Sequence, residues 1–464
     1  MKIYKKTIPD PSKKWVVDAN RLSVNTLLPA VPVFIGYTEF DGVNHGTAGD
    51  DALHQLPVFI DSLLEFERVF GGPQPEENMV LRVSPAGDSA ELSARNGRWS
   101  RHILYYALQL FFANGGNSCY VVSAGLFNKY PGKISKTLLW EAAGSIPDLN
   151  RPLIIVVPEA TRLPSESSCY RFAGDMIDWC AGRGDSFYLF DIYRKSLDTI
   201  NVSADVEHFR NAFTHTKNLG YTAVYYPWLA TSVNLLPAPL ATVYPARSRK
   251  PVKLEMLKSA PIYPVLLNAI AAAGMTLPPA AAIAGLWMYT DNILGVWKAP
   301  VSVALQLVVD TAAINDQENS QMNVDVVGGK SVNAIRYFTG KGRLAWGART
   351  LAGNDNEWRY IPVRRTMIMI ETTLRRSLLQ WAGLQITAEN CMRMRVAIEE
   401  YLFSLWKSGA LQGEKPELAY YVRLGEGITM TQADADSGNL VIELGIALLR
   451  PAEFNLLRLH QKMS

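Results

Sequence analysis

RPLIIVVPEA, Arg151–Ala160, decides the fold class. Its aliphatic residues follow one another without the apolar–polar alternation of a strand that has one wet face. An unbroken run of this length, closed by proline, fits a strand buried on both sides, as in a parallel sheet covered by helices. The flanking sequence agrees. Upstream, HILYYALQLFFANGG (His102–Gly116) has helical period, with Ile103, Ala107, Leu110 and Phe111 on one side and Gly115-Gly116 as its stop. CYVVSAG (Cys119–Gly125) then reads as a strand and LLWEAAGSI (Leu138–Ile146) as a helix. Downstream, CYRFAGDMIDWCAGRG (Cys169–Gly184) reads as a helix and SFYLFDIY (Ser186–Tyr193) as a strand, and TAVYYPWLA (Thr222–Ala230) continues the series. Helices and strands in alternation predict an α/β domain with a parallel sheet.

On the N-terminal side, Pro9 and Pro11 forbid a helix, and WVVDA (Trp15–Ala19) is a short β-prone run. TLLPAVPVFIGYT (Thr26–Thr38) leads into a buried strand. Residues 41–97 are rich in Gly, Pro, Asp and Glu and read as surface structure, with one helix in SLLEFERVF (Ser62–Phe70). Residues 235–258 read as a Pro- and Lys/Arg-bearing loop.

On the C-terminal side, ETTLRRSLLQWAG (Glu371–Gly383) predicts a helix with Ile370, Leu374, Leu378 and Trp381 on one stripe. Asn390 is the expected cap of a second helix, running to Lys407 and stopped by Gly409. Its buried face is Met394, Ile398, Tyr401, Leu402 and Leu405. Two β-rich runs follow, LAYYVRL (Leu418–Leu424) and NLVIELGIALL (Asn439–Leu449). The tail EFNLLRLHQKMS (Glu453–Ser464) is also β-compatible.

At 464 residues, with 48% apolar and 19% charged, the chain has room for two or three cored domains. A net charge of +3 argues for neither nucleic acid nor membrane. The opening MKIYKKTIPDPSKK, with five lysines against one aspartate, reads as a solvated basic tail. Cys119, Cys169, Cys180 and Cys391 lack metal-ligand or disulfide spacing and read as buried thiols of a reducing compartment. The longest apolar stretch, AIAAAGMTLPPAAAIAGLWM (Ala269–Met288), is broken by Gly274 and Pro278-Pro279 and predicts no membrane span. With no apolar core of signal-peptide length in the first thirty residues, the expectation is a soluble protein made in the cytoplasm.

No catalytic constellation outweighs its bland alternative. Phosphate-loop, dinucleotide, nucleophile-elbow and zinc-helix motifs are all missing. His208 and His215 are seven apart, which would be one helix face but not a metal site. Asp175 and Asp178 read as a solvated helix surface. Arg183-Gly184-Asp185 reads as a plain turn, and the sequon at Asn201 as idle. Arg364, Arg365, Arg375, Arg376, Arg393 and Arg395 stand against Glu371 and Glu389 as a basic cluster. Without interleaved exposed aromatics it suits an acidic protein partner as well as any nucleic acid.

GRLAWGARTL (Gly342–Leu351) reads as a structural junction. Gly342 and Gly347 are turn or close-approach positions, Trp346 buries area, and Arg349 anchors a polar network between the sheet and the C-terminal helices.

Three stretches resemble the contractile tail sheath protein family. They are TLPPAAAIAGLWMYTDNILGVWKAPVS (Thr276–Ser302) with its D-x-x-x-G-V-W-x-A-P, SVNAIRYFTGKGRLAWGARTL (Ser331–Leu351), and GNLVIELGIALLRPAEFNLLRLHQ (Gly438–Gln461). Order and spacing match over the C-terminal third. The middle is similar in architecture alone, and IPDPSKKWVVD stands where the family has an extended arm. The style is most similar to a sheath subunit of an extracellular contractile injection system. The resemblance implies a subtilisin-like α/β sheath domain at 101–345 and a C-terminal α+β assembly domain at 346–449. It also implies an N-terminal segment with surface insertions at 26–100 and extended β arms at 1–25 and 450–464.

The function it implies is structural: stacked hexameric rings form a sleeve around an inner tube, and contraction drives the tube through a target envelope. Partners would be other sheath subunits, the tube protein, and baseplate and terminal cap proteins, with no cofactor, metal, nucleic acid or membrane. The particle would assemble in the bacterial cytoplasm and be released as a phage tail-like device. Trp15, Val16 and Val17, with Phe454, Leu456, Leu457 and Leu459, are the expected inter-subunit arm residues. Arg375, Arg376, Arg393 and Arg395 are the expected tube-facing residues. Alternatives are a specialised baseplate-proximal or capping sheath paralogue, a monomeric binding module, and a subtilisin-like hydrolase, which a His–Asp–nucleophile cluster in a cleft would revive.

Overall fold

The computed structural model describes residues 22–25, 29–40, 55–95, 99–194, 201–246, 250–300, 303–448 and 455–462. The arm residues Trp15, Val16, Val17 and Phe454 lie outside them. The chain forms two compact units: the larger is Leu28–Met369, and the smaller holds Ile370–Ser464.

The larger unit is built on an eight-stranded sheet. Its strands are β1 (Val31–Thr38), β2 (Val58–Ile60), β3 (Cys119–Leu126), β4 (Leu153–Val156), β5 (Ser186–Phe190), β6 (Thr222–Tyr226), β7 (Asn333–Phe338) and β8 (Gly342–Trp346). Their spatial order is β8-β7-β6-β5-β4-β1-β3-β2. The six inner strands pair in parallel, and the two edge strands pair antiparallel. RPLIIVVPEA therefore supplies an inner strand, β4, flanked by β1 and β5.

Successive residues of the inner strands fill two cores. Phe34, Ile154, Val156, Phe187 and Leu189 face one layer, and Val33, Ile35, Ile155, Tyr188 and Phe190 face the other. The first layer holds α1 (Leu104–Ala113) and α3 (Ala280–Leu294), and the second holds α2 (Glu166–Arg183). Gly184, at φ +73°, ends α2 in the left-handed conformation that glycine adopts without a Cβ clash. The long apolar stretch folds as a helix (Tyr263–Ala273), a short strand (Met275–Leu277) and α3, broken at Gly274. Among the described residues no helix is long and apolar enough to cross a membrane.

Two expectations for the surface need correction. Residues 41–97 are not surface alone, because strand Met79–Val83 pairs with Ala90–Ala94 and buries Met79 and Leu81. The 235–258 loop contributes strand Thr242–Tyr244 to that same small sheet, through parallel pairing with Met79–Val83. These strands lie with β1 in the larger unit. The larger unit runs on past 345 to Met369. The β7–β8 hairpin completes the main sheet, and the chain that follows is bonded back to it.

The smaller unit contains Ile370–Ser464. α4 (Ile361–Trp381) begins in the larger unit, and its stripe of Ile370, Leu374, Leu378 and Trp381 is buried. α5 (Ala388–Lys407) is capped by Thr387, not Asn390: the Thr387 hydroxyl accepts the Asn390 backbone N–H at 3.2 Å. Asn390 lies inside the first turn, where its N–H is one of the donors that need a cap. Three antiparallel strands follow: β9 (Tyr420–Leu424), β10 (Asn439–Ile446) and β11 (Asn455–Lys462).

Candidate functional site

The junction forms around a residue that the sequence reading quoted only inside a motif. Asn333, fully buried at the start of β7, donates through Nδ2 to the Val224 and Arg349 carbonyls at 3.0 and 2.8 Å. Its Oδ1 accepts the Arg349 N–H at 2.8 Å. Gly347 is a close-approach position, since a Cβ there would stand 2.7 Å from that oxygen. Gly342 is a turn position at φ +84°. The Arg349 guanidinium donates to the Asn323 carbonyl at 3.1 Å and lies over the Tyr360 ring. Backbone bonds from Thr350 to Arg359 and from Ile361 to Ala348 tie the junction to the start of α4. Trp346 buries less than expected. It is 37% exposed and packs on Phe338 across the edge hairpin, with ring centroids 4.6 Å apart.

The basic cluster separates into two populations. Arg364 and Arg365 are buried in the larger unit. Arg364 lies between the Tyr221 and Trp358 rings, 3.7 and 4.2 Å from their centroids. Arg365 makes a two-pronged ion pair with buried Asp291 and lies over Trp287. Flat guanidinium groups suit both roles, in which lysine would lose the stacking and the fork. The remaining arginines sit on α4 and α5 with helical acid partners: Arg375 with Glu371 at 2.5 Å, Arg393 with Glu389 at 3.0 Å, and Arg395 with Glu399 at 2.8 Å. Arg376 is on the same helix as Arg375. The expected face is thus less basic than its arginine content suggested.

The tail does not extend away from its own chain. β11 lies antiparallel on β10 along its whole length, with Leu457 opposite Leu444 and Leu459 opposite Ile442, and Leu459 is buried. Leu456 is opposite Gly445 in the same register. The expectation of a projecting 450–464 arm is corrected to an edge strand, because alternating leucines find a matching apolar face on β10. Among the described strands β11 is the last of this sheet.

The carboxyl ends of the parallel strands, where α/β enzymes place chemistry, carry buried carboxylates in structural roles. Glu159 accepts backbone N–H bonds from Tyr37 (2.8 Å), Ile103 (2.9 Å) and Leu104 (3.3 Å). It therefore caps α1, which has no cap of its own. Burial pushes its carboxyl up to about 8, against the pull of those donors. Asp191 caps α3 in the same way, accepting from Ala280 N–H at 2.8 Å, and burial raises it to about 8. His102 lies 3.8 Å from Glu159, and burial depresses it to about 4. Its Nε2 faces the Tyr130 carbonyl at 3.0 Å, and among the described residues no hydroxyl or thiol bonds its ring. A His–carboxylate pair without a nucleophile is not a hydrolytic triad. His208 and His215 reach across to Glu166 and Asp178 instead of sharing a helix face. Arg183 forks onto Asp185 in a closed turn. Among the described residues no group of His, Cys, Asp or Glu has metal-site geometry.

Residues 353–462 match the phage tail sheath C-terminal domain family. None of the curated proteins matches the chain. Solved structures match nearly its whole length. A chain of the contracted sheath of PVC, an extracellular contractile injection system, is 26% identical with a TM-score of 0.62, over 98% of this chain and 99% of that one. A chain of the contracted helical sheath of the anti-feeding prophage is 25% identical with a TM-score of 0.60, over 98% and 100%. A chain of the anti-feeding prophage baseplate is 26% identical with a TM-score of 0.61, over 99% and 100%. The fold and its C-terminal domain define a contractile sheath protein, a structural subunit. Among such proteins, this chain is similar to the sheaths of extracellular contractile injection systems.

Proposed function

We propose that the chain polymerises as stacked hexameric rings into a sleeve around an inner tube, and that contraction of the sleeve drives the tube through a target envelope. The observation that carries this reading is the similarity to sheath chains over 98% of the length, and the outermost described strand of the C-terminal sheet is β11. Backbone pairing at that edge gives a copy-to-copy bond that survives rigid rotation of the attached cores. The donor is the N-terminal arm, residues 1–25, with Trp15, Val16 and Val17. At most about 3.5 Å per residue, twenty extended residues reach about 70 Å, enough to cross to a neighbour. The receiver is β11. Contraction proceeds from a metastable assembled state held by a barrier. The inner tube, the baseplate and a terminal cap are the other partners, and no enzymatic step takes part.

The test is negative-stain imaging of purified protein and of a variant lacking residues 1–20. The full chain should form long sleeves, and the shortened one should stay folded without them. Normal-length sleeves from the shortened chain would refute the arm. A second reading, a baseplate-proximal sheath paralogue, is favoured by the equally complete match to a baseplate chain. It predicts short rings on baseplates in place of sleeves.

A further inference from the structure

Between His102 and Glu159 the hydrogen bonds are one hydrogen short. Both side chains are buried, Glu159 completely. His102 Nε2 lies 3.0 Å from the Tyr130 carbonyl oxygen, which can only accept, so Nε2 carries a hydrogen. Nδ1 is then a bare lone pair in the neutral ring, and among the described residues it has no hydrogen-bond partner. Glu159 Oε1 stands 3.8 Å from the ring nitrogen. An orphaned acceptor opposite a carboxyl oxygen, both out of water, is satisfied by one proton between them. On Nδ1 that proton would make a buried ion pair; on Glu159 it makes two neutral groups. Burial selects the second arrangement. It pushes Glu159 up to about 8, against three backbone donors and Arg162, and depresses His102 to about 4.

The carboxyl is also a structural meeting point. Glu159, on the turn after β4, holds the end of β1 through the Tyr37 N–H on Oε2 and the start of α1 through the Ile103 and Leu104 N–H groups on Oε1. The backbone roofs it closely, since a Cβ on Gly36 would stand 3.1 Å from Oε2 and 3.0 Å from the Leu104 Cβ. Four other titratable groups face the pair. Arg101 opposes a charge on His102, and Arg162 favours one on Glu159 but is shared with Glu76. Tyr37 is pushed up to about 12 by burial, and Tyr130 packs on its ring. Loss of the shared proton therefore puts a net negative charge into the core at the joint of three elements.

We propose that His102 and Glu159 form a one-proton latch: a single proton held between them secures α1 to the ends of β1 and β4, and its release in alkali loosens that joint. The inference is independent of the sheath reading. Its signature is a plateau. At ordinary values of 4.5 and 6.5, the opened pair carries one proton on histidine between those pH values, and the closed pair carries one on glutamate. Stability is flat there. Above pH 6.5 the opened pair has none and the closed pair keeps its own to about 8, so stability falls as pH rises. A lone buried glutamate would instead lose stability steadily from 4.5. The test is hydrogen exchange, read by mass spectrometry on peptides covering Tyr37 and Ile103–Leu104, in the full chain and in a Glu159→Gln/His102→Leu variant. After correction for intrinsic exchange, the ratio of parent to variant opening constants should stay level from pH 4.5 to 6.5 and then rise about tenfold per pH unit to 8. A level ratio throughout, or a rise that starts at 4.5, would overturn the latch. Should the variant not fold, nitrogen NMR of histidine-labelled parent decides, with the signal assigned by its absence from His102→Gln. At pH 5.5, where an ordinary histidine is mostly charged, His102 should be neutral with its hydrogen on Nε2. A charged ring, or a hydrogen on Nδ1, would overturn it.

Discussion

Arg365 and Asp291 face each other with almost no solvent access to either side chain. Removing one member of such a pair strands the other charge, at a cost of about 3–5 kcal/mol, whereas an apolar replacement of both is tolerated. Arg365→Met should therefore lower the urea midpoint strongly, and Arg365→Met with Asp291→Leu should recover most of the loss. Equal destabilisation by single and double variants would contradict the pairing. Asp191 gives a pH signature. Its folded pKa, about 8, lies above the ordinary carboxylate value, so the folded state holds a proton that the unfolded chain has released. Stability contributed by this group is full below the ordinary value and is lost as pH rises towards 8. Asp191→Asn keeps an oxygen for the Ala280 N–H and removes the titration. The melting temperature of the variant should fall less than that of the parent between pH 5 and 8, and identical slopes would refute the assignment. These residue roles were hidden in the sequence for one reason. Arg364-Arg365 reads as surface charge, because Asp291, 74 residues away, is brought opposite only by the fold.

Elements were more legible than their ends. The stripe of α4 and the buried face of α5 follow from helical spacing, and the inner strands from uninterrupted aliphatic runs. The cap of α5 did not follow, since Thr387 and Asn390 are both acceptable capping residues and only the backbone geometry chooses. The pairing fate of β11 was equally open: alternating leucines specify a face, not whose sheet it joins. On the helices, each i,i+4 pair of Arg375, Arg393 and Arg395 contributes only a few tenths of a kcal/mol. Reversing Arg375, Arg376, Arg393 and Arg395 to glutamate should thus leave the chain folded and, if this face meets the tube, uncouple sheath from tube. Normal extended sheath on tubes, seen by electron microscopy, would place the face elsewhere.

At the scale of the molecule, the two units differ in how their sheets end. The main sheet closes its borders. β2 is three residues long, and β8 is covered by Ala304 and Leu305, whose N–H bonds to the Arg343 carbonyl at 2.8 Å. In the small sheet the outermost described strand is β11. Deleting residues 455–464 should expose β10, destabilise the smaller unit and produce ill-defined aggregates in place of sleeves; orderly sleeves from the deleted chain would mean β11 is dispensable. The consequence concerns kinship. With the large sheet sealed, the choice of which molecules a subunit joins through strand pairing falls to the N-terminal arm and the last hundred or so residues together, so grafting both portions from one sheath onto another should transfer polymer identity, and grafting either alone should not.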